Sequence, residues 1–181
     1  MTRSVVVSTA FAIGLALLVV GCTKLDEKKY LDAGAEAVLP FKRGMKTALM
    51  SGLRDGPSKA IGACRVEAPK LAAEASTGGV RVGRTSTKLR NPSNAPKAWM
   101  EPVLERYEAG PDERAPVVVA IDRNTVGYIE PIYLQPLCVT CHGQAIDPEL
   151  QATLDELYPE DQATGYAPGE LRGVFWAELP R

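Results

Sequence analysis

The sequence predicts an α+β domain, and three features of its patterning point there. Apolar residues recur at helical spacing through the first part of the chain. β-Branched and aromatic residues gather on both sides of Asp122-Arg123-Asn124, and a last apolar segment runs from Gly173 to Leu179. Helices first and an antiparallel sheet afterwards imply a sheet with helices packed on one side. With 181 residues, 45% of them hydrophobic and 24% charged, the chain suits one domain with an ordinary core. The formal net charge of −1 offers no broad basic surface to neutralise phosphates, so nucleic acid is not an expected partner.

The N-terminus reads as an address rather than as part of the fold. Arg3 gives a positive start, an uncharged apolar run extends from Val5 to Val20, and Val19-Val20-Gly21-Cys22 leads directly into polar Thr23-Lys24. The run is shorter than the roughly 20 residues that span a bilayer comfortably. Residues 1–22 resemble a lipoprotein signal peptide with a lipobox, which implies cleavage before Cys22 and lipidation of that residue. The alternative is an uncleaved anchor helix in which Cys22 is a small apolar side chain. Either way the remainder is exported to an oxidising cell envelope or periplasm. Acyl chains hold it at a membrane face, each buried methylene adding about 0.8 kcal/mol. Thr23 and Lys24 carry no acidic retention signal, which favours the outer membrane. Residues 23–34 are expected to be a tether, and 35–181 the folded domain.

Residues 31–53 place Ala35, Val38, Leu39, Phe41, Met45, Ala48, Leu49 and Leu53 at helical spacing, with a kink or restart expected at Pro40. Gly56 and Pro57 punctuate the chain, and Ser58 is placed to cap a second helix over 59–75, bent or split at Pro69. A short strand is expected over 80–83. The stretch 84–96, rich in Ser, Thr, Asn and Pro, reads as a structured loop. A helix over 98–109 offers Trp99, Val103, Leu104 and Tyr107 to the core. A hairpin follows with strands 117–121 and 126–133, then a helix over 148–158 and the final strand 173–179.

The chemistry lies in Cys138-Val139-Thr140-Cys141-His142-Gly143, which uses the only His and two of only four Cys in the chain. In Cys-x-x-Cys-His, two thiols on one turn reach the two vinyl groups of one porphyrin and the adjacent imidazole takes the iron. The segment therefore implies one covalently attached haem c (iron) per chain, with Cys138 and Cys141 as attachment points and His142 as an axial ligand. The competing readings are a Cys138–Cys141 disulfide, a thioredoxin-like redox pair, or a Cys3His zinc clip recruiting Cys64. A thioredoxin-like pair follows a strand and opens a long helix, whereas Cys138 follows Gln135-Pro136 and Asp147-Pro148 comes soon after Gly143.

Beyond the motif, a set of residues carries a wider resemblance. It comprises Cys64 with Ala68-Pro69, Val82-Gly83-Arg84-Thr85-Ser86, Arg90-Asn91-Pro92-Ser93-Asn94-Ala95-Pro96 with Trp99, Pro131-Ile132, Cys138 to Gly143, Tyr158-Pro159 with Asp161, and Gly165-Tyr166 with Gly169-Glu170-Leu171-Arg172-Gly173. Over about residues 35–180 the chain resembles the haem-binding domains of the DUF3365 or Tll0287-like group. Met100 departs from the pattern, where an acidic residue commonly follows Trp99. The resemblance implies a PAS-like antiparallel sheet flanked by N-terminal helices, and an axial role for Cys64.

From composition alone, a single His excludes bis-His ligation and leaves Cys64, Met45, Met50, Met100, a Lys, a backbone group, water or an exogenous ligand for the sixth position. Haem propionates need cationic or donor partners. Arg84 and Arg90 are the expected ones, with Lys88, Ser86, Asn91 and Asn94 in the same polar loop. Two functions lead: a redox or ligand sensor read out by a separate partner protein, and a membrane-tethered one-electron carrier with a redox partner. Haem catalysis ranks below both because a distal acid–base group is not evident, so turnover is not expected. A non-haem envelope protein with a zinc or disulfide clip is the remaining alternative.

Overall fold

The structure, a computed structural model, describes residues 25–110 and 113–181; the signal peptide, Cys22 and the first residues of the expected tether lie outside it. Helix α1 runs over Glu27–Arg54 and is capped at its start by Asp26, whose carboxylate accepts from the Lys29 amide. It therefore begins inside the stretch expected to be a tether, and Tyr30 there is already buried. Pro40 does not break α1, nor does Pro69 break α2 (Pro57–Ala75). Both prolines are solvent-exposed, as are Glu36 and Arg65, whose carbonyls each lose an intrahelical donor on a face open to water. Gly56, not Ser58, is the residue that precedes α2, with Pro57 at its first position.

Tyr30, Gly34, Val38, Phe41 and Met45 form the buried stripe of α1. Fully buried Val38 and Phe41 each contribute about 1.5–3 kcal/mol. Gly34 allows the helix to lie directly on the Tyr128 ring, since a Cβ there would come within 2.1 Å of Tyr128 Cγ.

The sheet has four strands, β1 (Arg81–Thr85), β2 (Val117–Ala120), β3 (Thr125–Tyr133) and β4 (Leu171–Pro180), in the order β1-β4-β3-β2 and antiparallel throughout. β1 extends two residues into the expected polar loop because Arg84 and Thr85 pair with Phe175 and Val174. Helices cover both faces of the sheet, not one. Val82, Val126, Tyr128, Ala177 and Leu179 pack beneath α1 and α2. On the opposite face Ile129 and Val174 meet α3 (Glu101–Ala109) through Met100, Val103, Leu104 and Tyr107. Apolar side chains on both sides of β3 and β4 require this second cover.

Two smaller clusters close one end of the domain. Ile61 of α2 packs with Leu150 and Leu154 of α5 (Pro148–Leu157), joined by Cys141 and Tyr158, and Leu134 packs with Ala163, Tyr166 and Cys138. Among the described residues no helix is long and apolar enough to cross a membrane.

Candidate functional site

At this end the chain turns through a 3-10 segment, Pro136–Cys138, directly into a single helical turn α4, Val139–His142. Cys138 and Cys141 are thereby presented from one turn, with His142 following. All three thiols, Cys64, Cys138 and Cys141, are free and partly buried. Gly143 ends α4 and pairs with Tyr166 in a parallel bridge, tied by Gly165 N to Gly143 O at 2.9 Å and Tyr166 N to His142 O at 3.0 Å.

His142 is fixed from behind. Its Nδ1 lies 2.6 Å from Ala163 O, and since a carbonyl only accepts, Nδ1 carries the proton and donates it. The imidazole is then the neutral tautomer whose Nε2 keeps a lone pair, the second-shell arrangement that metal-ligating histidines use. Burial, followed by the charges of Arg90 and Arg172, pushes the His142 pKa down to about 3, so the ring stays neutral at ordinary pH. Tyr166 meets the His142 ring edge-on at 6.5 Å between centroids.

Cys64 lies on α2, whose Ile61 belongs to the cluster that Cys141 packs against. Burial raises its thiol pKa, against the pull of Arg84 and then Arg90; Cys141 is raised by burial in the same way, with Arg90 opposing. The electrostatic coupling of Cys64 with Cys141 and with both arginines places the third thiol in the same locality as the attachment turn. The methionines are elsewhere: Met45 is core under the sheet, Met100 is core on its other face, and Met50 is exposed.

The two arginines expected to hold carboxylates differ in what they do. Arg90 donates from Nε to Asp161 Oδ2 at 2.9 Å, and from Nη2 to Cys141 O and to Ala163 O, the carbonyl that also receives the His142 proton. Asp161 accepts in turn from the Ala163 amide at 2.8 Å. Arg90 is thus a fastening between the Cys138–His142 turn and the 161–163 loop. Arg84 has no side-chain hydrogen bond or ion pair among the described residues, and burial lowers its pKa.

A third guanidinium, Arg172, belongs to the same cluster and was not assigned a role from sequence. Its Nη1 donates to Lys88 O at 3.2 Å, while its Nε is buried without an acceptor. Burial pushes it down to about 10. Its one sequence-level signal is its place beside Gly173 in the Gly169-to-Gly173 segment.

The donor set suits a haem better than the smaller alternatives. Among the described residues no three His, Cys, Asp or Glu side chains come together as a metal-holding group. Two thiols and an imidazole on one turn, a third thiol across from them, and guanidiniums short of acids together match a large flat anionic cofactor with a central metal.

The Tll0287-like family model matches residues 26–180. Among solved structures, the crystal structure of the cyanobacterial heme-protein Tll0287 is similar, with a TM-score of 0.64 and 26% identity, over 81% of this chain and 92% of that one. No curated protein sequence matches. The family model covers every helix described, the whole sheet and the Cys-x-x-Cys-His turn, and on that evidence the chain belongs to the Tll0287-like family.

Proposed function

We propose that this protein is a monohaem c-type cytochrome of the cell envelope, acting as a redox or ligand sensor or as an electron-transfer protein, and anchored through lipid on Cys22. Cys138 and Cys141 would hold the haem by thioether bonds, and His142 Nε2 and Cys64 would supply ligands to its iron. The single observation that carries this reading is the Nδ1–H bond of His142 to Ala163 O beside two free thiols of the same turn. The similarity to a heme-protein of the same family supports it. When bound, the haem supplies a one-electron centre whose potential follows its axial ligands and surroundings.

The chain's own residues do the rest. Arg90 and Asp161 hold the Ala163 carbonyl against His142 and so keep the imidazole neutral and oriented. Burial raises the Cys64 thiol pKa and Arg84 and then Arg90 oppose it, so a thiolate there would depend on the bound iron, and an anionic ligand lowers the potential. Cys64 sits on α2, which packs on α5 through Ile61 and on the main core through Leu71 and Ala72. A displacement at Cys64 therefore reaches α1, a route from site to surface that a sensor needs. For the carrier reading the favourable observation is Leu137, 48% exposed beside Cys138, an apolar spot for partner docking next to the attachment point.

The test is the mass and spectrum of the purified protein. Covalent haem adds the mass of one haem and gives pigment that resists acid-acetone extraction, and the pair Cys138→Ala with Cys141→Ala loses both. Retention of pigment in that double variant would sink the attachment. Paramagnetic resonance of the ferric form is expected to show a low-spin thiolate signal that disappears in Cys64→Ala; an unchanged signal removes Cys64 from the iron.

A further inference from the structure

The attachment end of the sheet carries buried positive charge in excess, and the backbone has been bent to put it there. β3 and β4 slip register between Ile132 and Tyr133, which pair with Gly173 and Leu171, so Arg172 is the extra residue of a β-bulge. Leu171 and Val174 both pack on the α3 side of the sheet. In an unbulged strand Arg172 would share the face of Val174; with Leu171 on that face instead, Arg172 emerges on the other, with Phe175 and its cross-strand partner Arg84. Gly173 makes this possible. Its φ is 151°, and a Cβ there would stand 2.2 Å from Thr85 O.

On that face three guanidiniums, Arg84, Arg90 and Arg172, act on His142, and the acidic partner among them is Asp161, held by Arg90. Three positive charges less one negative leave two. Arg84, half-buried, makes no side-chain hydrogen bond or ion pair among the described residues, and Arg172 keeps a buried Nε without an acceptor. A buried cation without a counter-charge is costly, so the arrangement is suited to a ligand that brings two carboxylates.

We propose that Arg84 and Arg172, aligned by the bulge at Arg172-Gly173, are the seat of both haem propionates, and that Arg90 is a positioning residue for the attachment turn and takes neither. This rests on the haem assignment above. The seat keeps the propionates ionised, so the iron's reduction is not accompanied by proton uptake on them.

The experiment uses the purified holoprotein, with covalent loading established by mass in every variant, and measures midpoint potential across about pH 5–8. The wild type is expected to give a flat profile. Arg84→Gln and Arg172→Gln are each expected to lower the potential and to introduce a pH-dependent segment, as a propionate no longer neutralised takes up a proton on reduction. Arg172→Lys keeps the charge and restores the flat profile, which separates loss of the seat from loss of the fold. Arg90→Gln reduces loading and thermal stability but leaves the profile flat. A flat profile at unchanged potential in both Gln variants, or pH dependence confined to Arg90→Gln, overturns the assignment. A changed thiolate signal with no pH dependence also overturns it, placing Arg84 on Cys64 instead. Absence of covalent haem from the wild type is a different failure, that of the haem reading itself.

Discussion

At one end of the β1–β4 pair, the carboxylate of Glu178 is buried on the α3 face and meets three donors. Lys97 Nζ lies at 2.6 Å and Trp99 Nε1 at 3.0 Å from Oε1, and Arg81, its cross-strand partner, forms an ion pair with Oε2 at 2.6 Å. Lys97 also lies over the Trp176 ring. At the other end and on the opposite face, Arg84 and Arg172 are half-buried; Arg84 makes no side-chain hydrogen bond or ion pair among the described residues, and the Arg172 Nε is buried without an acceptor. On these two strands the buried Glu178 carboxylate has two cations paired with it, its Oε2 held by the Arg81 ion pair without a hydrogen bond, whereas among the described residues Arg84 and Arg172 have no ion-paired acid. The first ties the 97–99 segment to the sheet, a structural clasp; the second marks where a ligand is expected.

Five measurements sharpen or break this contrast. The largest effect belongs to the link between the clusters' surroundings and the attachment turn. Asp161→Asn removes the acid of a pair whose side chains are only 14% and 7% exposed, and leaves Arg90 without its counter-charge. Chemical denaturation is expected to show a loss of about 3 kcal/mol, and a loss near zero would mean that Arg90 needs no partner. Gly173→Ala drives a methyl into Thr85 O and forces an L-residue to a left-handed φ; a thermal melt should register a loss of about 2–3 kcal/mol.

Glu178→Ala comes next. It strands the Trp99 N–H, but Lys97 and Arg81 are partly exposed and can turn to water, so the loss is about 1–2 kcal/mol. Burial raises the Glu178 pKa, but hydrogen bonds from Lys97 and Trp99 and the charges of Lys97 and Arg81 outweigh it and hold the carboxyl below its ordinary value. A depressed acid stabilises fully above its unfolded pKa and loses that stability as pH falls through the folded one. The acid limb of the wild-type stability curve should accordingly be steeper than that of Glu178→Gln.

The smallest effect has the opposite sign. Arg84→Leu in haem-free chain removes an unmatched buried charge and is expected to leave stability unchanged or raise it by about 1 kcal/mol. A clear loss would show that Arg84 has a partner in the protein after all, and the comparison between the two ends would fail.

What the sequence shows of this molecule is what short-range spacing encodes. Cys138, Cys141 and His142 are legible because one turn brings them together, and the hairpin is legible because Asp122-Arg123-Asn124 interrupts two β-branched runs. The uninterrupted α1 is not, because Pro40's cost depends on which face it occupies, and that is set by the stripe from Tyr30 to Met45 packing on β3. Cover on both sheet faces was hidden for the same reason. Arg90 reads as a free loop cation until Asp161 arrives from 71 positions away. Arg172 depends on a slip in register between two strands, which no local pattern records.

The unequal clusters have a consequence for biogenesis. α1, most of α2 and the sheet share the large core, whereas the attachment turn is fastened by Leu134, Ala163, Tyr166 and the Arg90–Asp161 pair. A corner held separately from the large core can open while the sheet stays shut, which is the freedom that a cofactor entering from that edge would need.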